Sequence, residues 1–356
     1  MEKRDRAILS GDIKNILKHV SRTLYLSVNI LPEPVRSSMG MGYLLCRMMD
    51  TVVDSPAIKA EEKLAILSMM RGVHKPVNAE AVVSRVHKLA AMAPAHGEKE
   101  LLLKFGRILA LYERFPAGEK ELFSRLLDSV ATGMEMDVRT FPGGTPTAFK
   151  TPQDLERYCA LIGGAPGVFW ARLYREAIRR STRTLSDFPS ERDAELIGSA
   201  LQMTNILKDI AADLRIGRCY LPQADLDAKN LKPADLLLPE NMGRLRDIAA
   251  KWMGWAVDRL DQCEAFVLAI PKTELALRAA VIWPVYWAMD TLEAVAHANL
   301  LDPAGRPRIR RGRIYSTIAA TPPLLLSNTA FARGYRFRRE TLIVSITGGH
   351  YEGRAI

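Results

Sequence analysis

The sequence predicts an all-α fold, a single-domain helical bundle, on three observations. Apolar residues recur at three- and four-residue spacing through most of the 356 residues. No run alternates apolar and polar side chains as a half-buried strand would. Short breaks bearing Pro or Gly separate the periodic segments. In chain order the helical pattern covers 61–73, 81–93, 100–115, 119–139, 152–180, 191–214, 242–270 and 273–300. The breaks are LPEPV (31–35), FPGGTP (141–146), DFPS (187–190), YLPQ (220–223) and LDPAGRP (301–307), each able to stop or turn a helix. Because these breaks are short, one domain over 1–356 is expected, and 48% hydrophobic content suffices for a large core.

Within this pattern stand two pairs of aspartates at helical spacing, Asp50/Asp54 and Asp209/Asp213. Residues four apart lie one above the other, so each pair sets two hard oxygen ligands on one helix face. Mg²⁺ accepts one or two protein carboxylates and fills its octahedron with water and phosphate oxygens. A lone D-x-x-x-D is usually a solvated face, but both pairs follow apolar sequence, where a carboxylate is costly without a compensating cation. The two pairs are therefore expected on opposite walls of one central active-site cavity.

The net charge of +10 and pI near 9.5 suit an anionic partner. Nucleic acid is not expected, since the chain carries no zinc finger, aromatic RNP motif or basic coiled coil. Apart from the cluster RPRIRRGR (306–313), the basic residues are spread along the chain. Cysteines 46, 159, 219 and 263 have no ligand or disulfide spacing, and the six histidines form no zinc motif. Glycines 163, 164 and 167 are read as close helix packing, and the aromatic residues of 281–295 as core. The N-terminus lacks a signal-peptide apolar region, and no apolar run is long enough to span a bilayer; IAATPPLLL is broken by Pro322 and Pro323. A cytoplasmic protein is expected, with peripheral contact on the inner membrane face left open.

With these motifs in view, the chain resembles the squalene and phytoene synthase family over about residues 20–315, leaving a C-terminal tail of about 316–356. The resemblance rests on SRTLYLSVNILP (21–32), YLLCRMMDTVVDS (43–55), GMEMD (133–137), RYCALIGGAPG (157–167), LQMTNILKDIAADLRIGRCYLP (201–222) and GRPRIRRG (305–312). Gln202, Asn205, Asp209, Asp213 and Arg218 all fall on the family pattern Q-x-x-N-I-x-x-D-x-x-x-D-x-x-x-G-R. Departures are Val53 and Ala212, where an acid is frequent, and Lys208, where Arg is frequent.

The resemblance implies the isoprenoid synthase fold and a Mg²⁺-dependent prenyltransferase of terpenoid, sterol or hopanoid biosynthesis, most similar to a bacterial-type squalene synthase. Two farnesyl diphosphates would condense head to head through presqualene diphosphate, and NADPH would reduce the product to squalene. Asp50, Asp54, Asp209 and Asp213 would hold the metal. Ser21, Arg22, Tyr43, Arg47, Gln202, Asn205, Lys208 and Arg218 would bind substrate, Tyr158 would act as base or proton relay, and Arg308 and Arg310 would hold the NADPH phosphates. The alternatives are a dehydrosqualene or phytoene synthase without reduction, and a non-catalytic scaffold relative. All four aspartates are present, which argues against the scaffold. Prenyl chain length and oligomeric state are not fixed by the sequence.

Overall fold

A computed structural model describes residues 8–9, 11–21, 23–93, 95–179 and 189–348. The described residues group into two compact units. The first takes in those up to Arg139 and from Val168 to Arg179, the second those from Thr140 to Gly167 and from Pro189 onward.

The first unit contains α1 (Gly11–Ser21), α2 (Thr23–Asn29), α3 (Val35–Asp54), α4 (Ala60–Arg71), α5 (Pro76–Leu89), α6 (His96–Leu103), α7 (Phe105–Tyr112) and nearly all of α8 (Ala117–Thr140). Its core is built on one stripe of α3. Met41, Leu44, Leu45, Met48, Met49 and Val52 are closed to solvent at the i, i+3, i+4, i+7 spacing of a single helix face. Each such side chain contributes about 1.5–3 kcal/mol relative to exposure. The same period sends Tyr43, Arg47, Asp50 and Asp54 to the opposite face. Packing of the apolar stripe thereby fixes where the polar one points.

The second unit contains β1 (Thr147–Phe149), α9 (Pro152–Cys159), a π turn (Ala160–Gly164), the start of α10 (Ala165–Arg179), α11 (Glu191–Arg215), β2 (Arg218–Pro222), α12 (Gln223–Asp227), α13 (Met242–Leu260), α14 (Gln262–Leu268), α15 (Leu275–His297), α16 (Arg311–Ala320), α17 (Pro322–Leu326) and α18 (Asn328–Thr347). Ser190 caps α11, its hydroxyl accepting from the amides of Arg192 (3.1 Å) and Asp193 (3.3 Å). Helix α11 packs on α13, α15 and the π turn. At the π turn the approach is backbone to backbone. A Cβ on Gly163 would lie 2.2 Å from the Gly198 carbonyl oxygen and 2.7 Å from Gln202 Cβ. The glycines read as packing residues from sequence are packing residues. Helix α15 is apolar on nearly every side and lies under α16, α17 and α18.

Two features depart from the helical expectation. β1 and β2 form a parallel pair, with Thr147 opposite Arg218 and Ala148 opposite Cys219. Strands this short cannot show a period of two in sequence. Residues 316–348, expected as part of a tail, form the end of α16, α17 and α18, and α18 buries Phe331, Tyr335 and Leu342. Pro322 and Pro323 do not end the structure; they open α17, where a missing N–H costs nothing.

Candidate functional site

In the first unit, Asp50 and Asp54 occupy the last turns of α3, and no basic residue stands in its last turn. The carbonyl end of a helix disfavours negative charge, so two carboxylates there work against stability. Arg47, one turn back, donates to Asp50 Oδ2 and to Glu98 Oε1 on α6. Burial by itself would lower the Arg47 pKa, but Asp50, Tyr43 and Glu98 outweigh it and raise it. Burial, seconded by Asp50, pushes the Cys46 thiol up to about 12, so it stays protonated. The Tyr43 hydroxyl donates to the Val20 carbonyl at 2.8 Å, and Ser21 Oγ donates to the Leu17 carbonyl. Both hydroxyl protons are thus engaged by backbone carbonyls. Arg22 lies outside the described residues.

In the second unit, Gln202, Asn205, Asp209 and Asp213 form one stripe of α11, opposite the buried stripe of Met203, Leu207, Ile210 and Leu214. Asp213 again lies in the last turn, two residues before the helix ends. Gly217, at φ +85°, ends the helix in the left-handed region and turns the chain so that Arg218 opens β2. Asp213 and Arg218 line a small cavity of about 10 Å³ with Ile206, Ile210 and Tyr220.

The second pair gathers cations. Arg306 donates through Nε to Asp209 Oδ1 and pairs with the same oxygen through Nη2. Lys208 Nζ donates to Asn205 Oδ1 at 2.8 Å and lies 3.6 Å from Asp209 Oδ2. Burial lowers the Lys208 pKa, and the nearby charges of Arg306 and Arg308 lower it further against the pull of Asp209. Arg308 and Arg310 are exposed on the segment leading into α16. Tyr158 is buried at 4% exposure in a cluster with Phe149 and Tyr220. Its hydroxyl donates to that of Tyr220 at 3.4 Å.

Sequence reasoning missed Arg306, Tyr220 and Glu98. Arg306 stands inside the basic segment already singled out, but a run of arginines does not reveal which one pairs with Asp209. Tyr220 sits in the strand that follows the second motif, and Glu98 has no local signal.

The donor set fits Mg²⁺: hard carboxylate oxygens, two to a helix face, at helix ends that favour a cation. Among the described residues no three His, Cys, Asp or Glu side chains form a metal cage. Mg²⁺ held largely by substrate phosphates does not need one.

The fold is that of the all-α isoprenoid synthases. A solved complex of TcSQS with a ligand covers 97% of this chain and 93% of its own at TM-score 0.75 and 18% identity. The squalene/phytoene synthase family model matches residues 17–313, and the chain belongs to that family. It is 24% identical over 284 residues to the squalene synthase of Schizosaccharomyces pombe, covering 79% of this chain and 58% of the relative. It is 24% identical over 305 residues to the chloroplastic phytoene synthase 3 of Zea mays, covering 83% and 62% respectively. The chain thus spans about three fifths of the length of these curated relatives.

Proposed function

We propose that this chain is a squalene synthase, a single catalytic domain that joins two farnesyl diphosphates head to head through presqualene diphosphate and reduces the product with NADPH. The observation that carries the reading is that each helix sets two aspartates on one face, Asp54 and Asp213 in the last turn and Asp50 and Asp209 a turn earlier, beside Arg47 in one case and Arg306 and Lys208 in the other. Carboxylates put where they destabilise a helix are explained by a bound cation.

Asp50 with Asp54 and Asp209 with Asp213 would hold Mg²⁺, which supplies Lewis-acid stabilisation of the departing diphosphate. Arg47, Lys208, Arg218 and Arg306 bind diphosphate oxygens and meet the negative charge that grows as the allylic C–O bond breaks. Gln202 and Asn205 orient the phosphates through their amide N–H groups, and Ser21 and Tyr43 donate to them by turning their hydroxyls from the backbone carbonyls of Leu17 and Val20. The aromatic group of Phe149, Tyr158 and Tyr220 keeps water from the carbocation. Tyr158 passes the proton lost on condensation; a phenol is a poor base at neutral pH, so the released diphosphate is the final acceptor. Arg308 and Arg310 would hold the phosphates of NADPH, which supplies hydride. The enzyme works in the cytoplasm, against the inner membrane face.

A second reading, a dehydrosqualene or phytoene synthase without reduction, draws support from the basic segment itself. Arg306 is bound to Asp209 and Arg308 acts on Lys208, so these arginines serve the diphosphate site. Incubating the purified protein with farnesyl diphosphate and Mg²⁺, with and without NADPH, tests both by mass analysis of extracted hydrocarbons. Squalene formed only with NADPH supports the first reading. A desaturated product regardless of NADPH supports the second, and no turnover of farnesyl or geranylgeranyl diphosphate overturns both.

A further inference from the structure

Arg278, on α15, is a charge buried without a counter-charge. Its side chain is closed to solvent at 0% exposure, although arginine is almost never fully buried unless it is paired. Nη2 donates to Asn328 Oδ1 at 2.8 Å, but Nε and Nη1 are buried and have no hydrogen-bond partner among the described residues. Nor does any carboxylate among them form an ion pair with the guanidinium. Glu274 stands one turn earlier, at the right spacing to do so. It meets Arg278 only through its backbone carbonyl, which accepts from the Arg278 amide at 3.0 Å. Burial lowers the Arg278 pKa with no acid acting to raise it. An ion buried without a partner is strongly destabilising.

The surroundings add positive charge instead of cancelling it. Arg278 lies in the first turn of α15, and its partner Asn328 is the first residue of α18. Helical side chains lean toward the N-terminus, so the guanidinium reaches back to the amide end of α15 and meets the amide end of α18. Both ends carry partial positive charge. In α18 the Ser327 hydroxyl accepts from the Ala330 amide (3.2 Å) and the Ser327 carbonyl from that of Phe331 (3.0 Å). The amides of Asn328 and Thr329 precede these and have no carbonyl partner in the helix. Pro271, Lys272, Thr273, Leu275 and Thr329 are exposed, so the buried guanidinium lies just beneath the surface.

We propose that Arg278 and the first turn of α18 bind a small oxyanion of the phosphate class. The anion accepts from Nε or Nη1 of Arg278 and from the amides of Asn328 and Thr329, while Nη2 stays on Asn328 Oδ1. It supplies the counter-charge that the protein withholds. The site shares no residue with the aspartate pairs or the cations beside them, and it takes its anion without a metal. The inference does not rest on the reaction assigned above.

Thermal unfolding of the full chain in Mg²⁺-free buffer, with inorganic phosphate exchanged for chloride at constant ionic strength, tests it. Phosphate also stabilises proteins generally by exclusion from their surface, so the quantity read is the difference between variants. At saturating phosphate the wild type is expected to gain about 2–4 °C more in melting temperature than Arg278→Met. In chloride, Arg278→Met should melt no lower than the wild type, because an apolar side chain replaces an unpaired buried charge. Asn328→Ala keeps the guanidinium but removes its one side-chain partner, and should widen the gain from phosphate. Asn328 is only half-buried, so this variant carries the test even where Arg278→Met fails to fold. Equal gains from phosphate in the wild type and the folded variants overturn the proposal, because the anion then acts elsewhere on the protein.

Discussion

The two aspartate pairs meet their cations by different routes. Asp50 is paired with Arg47, three residues back on the same helix, and Glu98 from α6 braces the guanidinium from behind. That charge balance forms as α3 forms and packs. Asp209 takes its guanidinium from Arg306, 97 residues further on, carried by the segment between α15 and α16. The second balance exists only once that segment has docked. One site is wired within a helix, whereas the other is wired by tertiary structure and can be opened without unfolding its helix.

The largest expected effect treats the pairs alike. Asp50→Asn and Asp209→Asn should each lower kcat by a factor on the order of 10³, since Lewis-acid assistance to a leaving diphosphate is worth several kcal/mol. Single-turnover consumption of farnesyl diphosphate at saturating Mg²⁺ reads this. A loss at only one pair would assign catalysis to that site and binding to the other.

Next in size is a stability effect confined to the second unit. Asp290 is buried and accepts from Arg313 Nε (3.0 Å), Arg313 Nη2 (2.9 Å) and Arg338 Nη1 (2.7 Å). It ties α15 to α16 and α18, and thereby anchors the far end of the segment that carries Arg306. Asp290→Asn should cost about 3 kcal/mol in denaturant unfolding, the lower end for a broken buried pair because Arg313 is half exposed. It should also raise KM, while Arg47→Gln, which has no segment to release, should leave the basic segment as resistant to limited proteolysis as in the wild type.

Arg306→Gln sharpens the contrast at smaller scale. Removing one charge-assisted pair beside the diphosphate should raise KM by about tenfold with little change in kcat. Limited proteolysis between residues 302 and 310 should become faster. Intact protection in this variant would show that the segment is held by Asp290 alone.

Of the two helices α11 was the more legible, expected over 191–214 and found at Glu191–Arg215. No helical period was read over 35–54, so in α3 only the four-residue spacing put Asp50 and Asp54 on one face, and Tyr43 and Arg47 entered through the family resemblance. What sequence could not supply was contact between distant segments. Arg306 was one of five arginines in a run, Glu98 carried no motif, and Asp290 was one acid in an aromatic helix read as core. The segment 242–270 read as one helix is two, because the period continues across the break at Asp261. Helices α17 and α18 were missed because no helical period was read beyond residue 300 and the apolar run holding Pro322 and Pro323 was weighed only as a membrane span, although proline at a first turn starts a helix well.

Lys208 gives the smallest effect and the finest test of tertiary wiring. Burial first, then Arg306 and Arg308, holds its pKa below the usual lysine value. Between that lowered value and the unfolded one, the unfolded chain binds more protons, so stability rises with pH there and charged Lys208 costs stability at neutral pH. A bound diphosphate reverses the balance by adding negative charge beside the ammonium. KM should therefore climb a few-fold on the alkaline side, beginning below the pH at which an ordinary lysine titrates. Lys208→Arg should remove that alkaline limb, because a guanidinium stays charged throughout. Arg306→Gln should move the limb to higher pH by withdrawing one of the charges that lowers the Lys208 pKa. An alkaline limb unmoved by either change would place the titrating group elsewhere and leave Lys208 as a packing residue beside Asn205.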